Sequence, residues 1–187
     1  MLKSSNVLSL AIVVTLTISI LSLFSFQQVS AEAKIGVKIP HTLDLKNQDN
    51  RFVTFKSLMG EKGAVLVFVR SVSWCPFCQE QLQNFDKHAG EFKEKGYNIV
   101  SISYDDVYAL KEFQEKYDVS FPLLSDNGSK AIKDFGILNT EFEPGSRFYG
   151  IPYPTVYVVD KNGIIQHIFA EEGYRERPDI SVIKSHL

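Results

Sequence analysis

The sequence predicts an α/β fold with a central mixed β-sheet flanked by helices on both faces. Three observations predict it. Segments alternate in the order β-α-β-α-α-β-β. Ala64-Val-Leu-Val-Phe-Val69 is a continuous apolar run of strand length, suited to a central strand buried on both faces. Asp160-Lys-Asn-Gly163 reads as a hairpin turn, after which Ile164 to Phe169 returns antiparallel, so the sheet is mixed.

Each element has its own signal. Behind the first strand come Trp74-Cys-Pro-Phe-Cys78 and a polar stretch with Leu82, Phe85, Ala89 and Phe92 at helical spacing. Gly96 closes that helix, and Tyr97 to Ser103 is the next strand. Asp105 and Asp106 open a helix whose apolar face is Val107, Leu110, Phe113 and Tyr117. Asp126-Asn-Gly-Ser129 is a turn and cap before a short helix holding Ile132 and Phe135, and Thr155 to Val159 is a further strand. Tyr174 to Leu187 is polar, contains Pro178 and has no clear period. It is expected to pack as a last helix or to fray.

Composition narrows the function. Of 187 residues, 44% are hydrophobic and 22% charged, which excludes a disordered chain. A net charge of −2 carries no basic excess for nucleic acid. Two cysteines exclude a disulfide-dense framework and an all-cysteine zinc site. At the N-terminus, Lys3 precedes an almost wholly apolar run from Val7 to Phe26, and Val29-Ser-Ala31 offers small residues for cleavage. Residues 1–31 are therefore expected to be a signal peptide or, uncleaved, an N-terminal membrane anchor, since about 20 apolar residues span a bilayer. The expected location is outside the cytoplasm: periplasmic, extracellular or anchored. The folded domain is expected over residues 34–175, with a C-terminal tail over 176–187.

Cys75 and Cys78 carry the candidate chemistry. Pro76 fits the first turn of a helix, where its missing N–H is no loss. Cys75 then faces the unpaired N–H groups and positive dipole end of that helix, which favours a thiolate and lowers its pKa. A thiolate is the nucleophile of disulfide exchange, and Cys78, one turn on, stands where it can resolve a mixed disulfide. Three other readings compete. A structural disulfide would close so short a loop that the chain-entropy gain is roughly 2 kcal/mol, against about 3 for a 15-residue loop. Metal ligation would need partners, yet His41, His88, His167 and His186 are scattered singly. Two unreactive buried thiols are the third. Redox chemistry is favoured, with no cofactor or metal required.

These residues resemble a family. The chain is similar, over roughly residues 35–172, to thioredoxin-fold redoxins of the alkyl hydroperoxide reductase and thiol-specific antioxidant (AhpC/TSA, peroxiredoxin-like) superfamily. Ile35 to Pro40 resembles the entry segment, Gly96 to Asp105 the second central strand, and Phe113 to Tyr117 with Phe121 to Asp126 the segment before the short helix ending at Phe135-Gly136. Trp74-Cys-Pro-Phe-Cys78 is similar to thioredoxin and glutaredoxin sites, and Ile151-Pro-Tyr-Pro-Thr155 looks like their cis-proline loop. The resemblance implies a thioredoxin-like fold with Pro154 cis and opposite the cysteines. It implies a substrate surface of Trp74, Pro76, Phe77, Tyr153 and Pro154.

The departures are specific. Peroxiredoxins carry a proline seven residues before the peroxidatic cysteine and a threonine three before it. Counting back from Cys75 gives Phe68 and Val72, and from Cys78 gives Ser71 and Cys75. Their arginine falls where this chain has Pro154. Arg70 and Arg147 are the available substitutes, although arginines are mostly solvated surface charges. The proton acceptor for Cys78 is unassigned, Glu80 being an ordinary first-turn acid.

The expected function is accordingly an exported thiol–disulfide oxidoreductase, with Cys75 attacking and Cys78 resolving. The alternative is a peroxiredoxin-like thiol peroxidase reducing hydroperoxides through Cys75, and a non-catalytic binding module is the third reading. Expected partners are a disulfide-containing protein or a small thiol or peroxide substrate, with a separate redox partner for turnover. No nucleic acid is expected, and the membrane only through residues 1–31 if these stay uncleaved.

Overall fold

The computed structural model describes residues 33–171, 173 and 175–187. In chain order the elements are β1 (Lys46–Asn47), α1 (Phe55–Leu58), β2 (Gly63–Phe68), α2 (Pro76–Lys87), α3 (Ala89–Glu94), β3 (Tyr97–Ser103) and α4 (Val107–Tyr117). There follow β4 (Leu123–Ser125), α5 (Lys130–Asp134), β5 (Thr155–Asp160), β6 (Ile165–Ala170) and α6 (Ile180–Ser185). One six-stranded sheet has the order β1-β4-β3-β2-β5-β6. β2 pairs parallel with β3 and antiparallel with β5, so the sheet is mixed as its hairpin turn requires.

β2 lies in the middle and is buried throughout. Its side chains alternate between two cores. Val65 and Val67 face a core holding Leu82 and Phe85 of α2, Phe92 of α3, Leu110 and Phe113 of α4, and both cysteines. Ala64, Leu66 and Phe68 face the other, with Leu58 of α1 and Ala131 and Ile132 of α5. Helices thus cover both faces, and a strand apolar at every position is what such a sandwich requires. Gly63 marks the tightest backbone approach: a Cβ there would lie 1.9 Å from the Val159 carbonyl oxygen.

Caps sit where the sequence places them. Asp106 caps α4 through the Ala109 N–H, and Asp126 accepts from Ala131 and Ile132 N–H at the start of α5. Gly96, at φ +89°, follows α3. The helix expected to run unbroken from Pro76 to Gly96 instead breaks at His88, the C-cap of α2 and N-cap of α3. The apolar spacing of Phe85, Ala89 and Phe92 is the same on both sides of the break, so periodicity does not reveal it. Within the segment expected as a tail, α6 puts Ile180 and Ile183 into the cysteine-bearing core, and Lys184 reaches Glu91 of α3 at 2.7 Å.

Candidate active site

The site stands where β2 gives way to α2. Val69 still bonds to the sheet, its N–H donating to the Ile102 carbonyl at 3.0 Å. Residues 70–75 then form a loop held from beneath by Asp105. This buried carboxylate accepts from Ser71 Oγ at 2.7 Å, Val72 N–H at 2.8 Å and Ser103 Oγ at 2.7 Å. Sequence reasoning assigned Asp105 to the opening of α4, but Asp106 has that task and Asp105 shapes the loop. Burial pushes the Asp105 pKa up, against the pull of its donors. Asp105→Ala would strand two hydroxyls and one N–H and should cost about 3 kcal/mol in urea unfolding of the reduced protein. Asp105→Asn, which keeps the shape, should cost under about 1 kcal/mol.

Cys75 is the N-cap of α2, and Pro76 occupies the first turn. Its Sγ accepts from the Cys78 N–H at 3.3 Å, the helix-terminal contact the sequence predicts. Both sulfurs are fully buried. Each has an arginine beside it: Arg70 Nη2 lies 3.5 Å from Cys75 Sγ, and Arg177 Nη2 lies 3.6 Å from Cys78 Sγ.

The two thiols titrate as a pair. A hydrogen bond between the cysteines brings Cys78 down to about 5, and the Ser71 N–H and Arg177 assist. The same bond, with burial, pushes Cys75 up. The helix terminus and Arg70 pull Cys75 down as the sequence predicts, while the neighbouring sulfur and burial push it up. The pair loses its first proton easily and its second with difficulty, as coupled groups do. The reduced pair thus holds one charge and one proton between its two sulfurs.

The expected substrate surface is only partly assembled. Trp74 is half-buried, its indole N–H donating to Tyr104 Oη at 2.8 Å and its ring 4.9 Å from that of Phe148. Pro76 is exposed, and Phe77 lies under the Arg175 guanidinium, 5.6 Å from the ring centroid. The pairing of Phe68 with Thr155 brings the Tyr153–Pro154 segment alongside the loop that leaves β2. Pro154 is not cis, however; among the described residues no peptide bond is cis. The backbone of Tyr153 is already engaged, its N–H by the Ile137 carbonyl at 2.7 Å and its carbonyl by Thr155 Oγ1 at 3.0 Å. Those groups are not presented to a peptide, and the Tyr153 side chain points outward to Thr140.

Arg177 and Asp105 escaped the sequence as parts of the site, and Arg70, named there as a substitute cation, differs in its setting. Arg70, 2% exposed, is a core residue rather than a surface charge. Arg177 comes from the segment without a period, and Asp105 was taken for a cap. A charged residue two positions after a fully apolar strand was the available signal for Arg70. Nothing local marks Arg177, which lies 99 residues from its sulfur. Among the described residues no group of three or more His, Cys, Asp or Glu is arranged to hold a metal.

The chain is similar to known peroxiredoxins. The rice (Oryza sativa subsp. japonica) protein named Peroxiredoxin Q, chloroplastic, is 34% identical over 133 residues, covering 71% of this chain and 58% of that one. The protein of the same name from Suaeda salsa is 30% identical over 153 residues, covering 79% and 68%. The chain thus spans little more than half the length of the rice relative. Among solved structures, peroxidoxin BcpB from Mycobacterium tuberculosis superimposes with a TM-score of 0.67 at 24% identity, over 77% of this chain and 90% of that one. A peroxiredoxin-like protein from Aquifex aeolicus gives 0.67 at 20%, over 82% and 85%. The fold is thioredoxin-like, as the resemblance implied.

The same relatives correct the expected location. Their names are those of chloroplastic proteins, which overturns the reading of this chain as exported. Residues 1–31, on which that reading stood, lie outside the described residues. No helix among the described residues is long and apolar enough to cross a membrane. The match to the AhpC/TSA family model runs over residues 35–168 and takes in β1 to β5, Arg70 and both cysteines; the chain belongs to the AhpC/TSA family.

Proposed function

We propose that the protein is a thiol peroxidase that reduces hydroperoxides through Cys75 and Cys78. The observation that carries this reading is the buried Arg70 guanidinium 3.5 Å from Cys75 Sγ. It supplies, from the β2–α2 loop, the cation that the peroxiredoxin pattern places where this chain has Pro154. The family match and the relatives' names support it. Exchange with protein disulfides, the first expectation from sequence, is less favoured because the Tyr153 backbone groups are already engaged within the chain.

The chemistry balances with the groups present. The Cys78 thiolate takes the proton of Cys75 across their hydrogen bond, and Cys75 sulfur attacks the terminal peroxide oxygen. An S–O bond forms and the O–O bond breaks. The departing alkoxide, held by the Arg70 guanidinium, takes a proton from solvent and leaves as alcohol or, from hydrogen peroxide, as water. Cys78 then attacks the sulfenic acid. The S–S bond forms, the S–O bond breaks, and hydroxide leaves with the Cys78 proton as water. The dithiol has given two electrons to the peroxide, and a separate dithiol protein is required to return them.

Stopped-flow mixing of the reduced protein with hydrogen peroxide and with an alkyl hydroperoxide tests this. Trp74, the only tryptophan, reports from beside Cys75. The expected result is a saturation-free second-order oxidation whose rate rises as the pair loses its first proton near pH 5 and is flat from about pH 7 to 9. A rate no faster than a free thiol, still climbing with pH up to about 8.5, overturns the proposal.

A further inference from the structure

The mechanism above uses Arg70 but leaves a second guanidinium unexplained. Arg177 belongs to the segment leading into α6, far from the cysteines in sequence. Its Nη2 lies 3.6 Å from Cys78 Sγ, its Nε donates to Gln81 Oε1 at 3.0 Å, and its Nη1 donates to the Glu176 carbonyl at 2.6 Å. Gln81 is buried, 7% exposed, on the inward face of α2 and one turn beyond Cys78. A glutamine in a helix's apolar face needs a partner, and orienting Arg177 toward the sulfur is what it does. Asp179 caps α6 through the Ser181 N–H at 2.7 Å. With Ile180 and Ile183 in the cysteine-bearing core, this fixes where the arginine enters.

We propose that Arg177 is a positioning residue that holds Cys78 as the thiolate of the reduced pair, and that docking of residues 175–187 is thereby coupled to the redox state of the cysteines. Among the described residues the charged and titratable groups facing Cys78 are Cys75 and Arg70 from the loop before its helix, Asp105 from just beyond β3, and Arg177. Arg177 is the one that arrives with a separable segment. Disulfide formation removes the thiolate, and with it the attraction that seats the guanidinium. By linkage, whatever the segment contributes to the thiolate, the thiolate returns to the docking of the segment. A groove of ≈ 520 Å³ between α2 and this segment, lined by Phe77, Gln81, Asn84, Arg175 and Arg177, would widen on oxidation.

The inference rests on the cysteines forming a reversible disulfide, not on peroxide being the oxidant. Its test therefore uses exchange with a dithiol. Arg177→Gln, Arg177→Lys and Gln81→Leu are compared with the unaltered chain by thiolate absorbance against pH and by equilibration with dithiothreitol, where each protein disulfide reduced oxidises one dithiol. Arg177→Gln should raise the first apparent pKa of the pair by about one unit. It should also make the disulfide roughly tenfold harder to reduce at pH 7. Arg177→Lys should restore part of both, and Gln81→Leu should shift both the same way by less. Hydrogen exchange over residues 175–187 should quicken on oxidation of the unaltered chain and be the same in both states of Arg177→Gln. Unchanged pKa and exchange equilibrium in Arg177→Gln overturn the proposal. So does segment protection that ignores redox state in the unaltered chain. Slow peroxide oxidation alongside these shifts would remove the peroxidase reading and leave this one standing.

Discussion

Cys75→Ser should abolish the fast oxidation by peroxide, lowering the second-order rate by at least about 10³-fold. Cys78→Ser should lower it far less and should stop the reaction at a sulfenic acid. The asymmetry follows from the site. Cys75 caps α2 and lies beside Arg70, and Arg70 is the cation the proposed mechanism assigns to the departing oxygen. Cys78 sits one turn deeper, where the proposed mechanism has it accept the proton of Cys75. A sulfenic-acid trapping reagent with mass spectrometry separates the cases: label on Cys75 in Cys78→Ser supports the assignment, and label on Cys78 in Cys75→Ser with retained rate reverses it. Serine at 78 also removes the base, so a modest loss in rate accompanies the trapped intermediate.

The second large effect is at Arg70. Arg70→Gln should slow peroxide oxidation by about 100-fold, the scale on which a single preorganised donor to a developing anion acts. It should also raise the first apparent pKa of the pair, because one of its two cations is gone. A rate lost at low pH but recovered at high pH would mean Arg70 acts only on the thiolate. A loss that persists when the pair is fully ionised means it also holds the leaving oxygen, as proposed. Arg70→Lys should recover part of the pKa shift but little of the rate, since a guanidinium offers a planar fork that an ammonium lacks. Equal rates for the unaltered chain and Arg70→Gln would remove the observation on which the peroxidase reading stands.

The sheet and the cysteines were legible because their signals are local. β2 is an unbroken apolar run, β3 carries Ile99, Val100 and Ile102, the β5–β6 turn carries its glycine, and a Cys-Pro-x-Cys after a strand announces a helix start. What was not legible depends on partners distant in sequence. A two-residue β1 and a three-residue β4 are too short to show a period. Arg70 becomes a core residue only when two sulfurs and the loop close over it, and Asp105 a scaffold only when the 71–72 loop folds onto it. α6 looked featureless because two buried isoleucines in six residues make no pattern. Pro154 is a similar case: a Pro-Thr ahead of a strand marks a bend without marking the isomer of its peptide bond, which is trans.

The close approach at Gly63 also bears on the site at the other end of its strand. β2 and β5 run antiparallel, with Gly63 opposite Asp160 at one end and Phe68 opposite Thr155 at the other, about 17 Å away. The first end admits no side chain; the second carries Arg70 on one arm and the Tyr153–Pro154 segment on the other. A slip of the pair would move these arms past each other, and a single-residue slip would also exchange the β2 side chains between the two cores. Gly63 thus works as the pin of a caliper whose jaws are the active-site loops. Loss of activity on substitution there would be a misalignment and not a loss of chemistry, and a screen that ranks positions by nearness to the cysteines would overlook it.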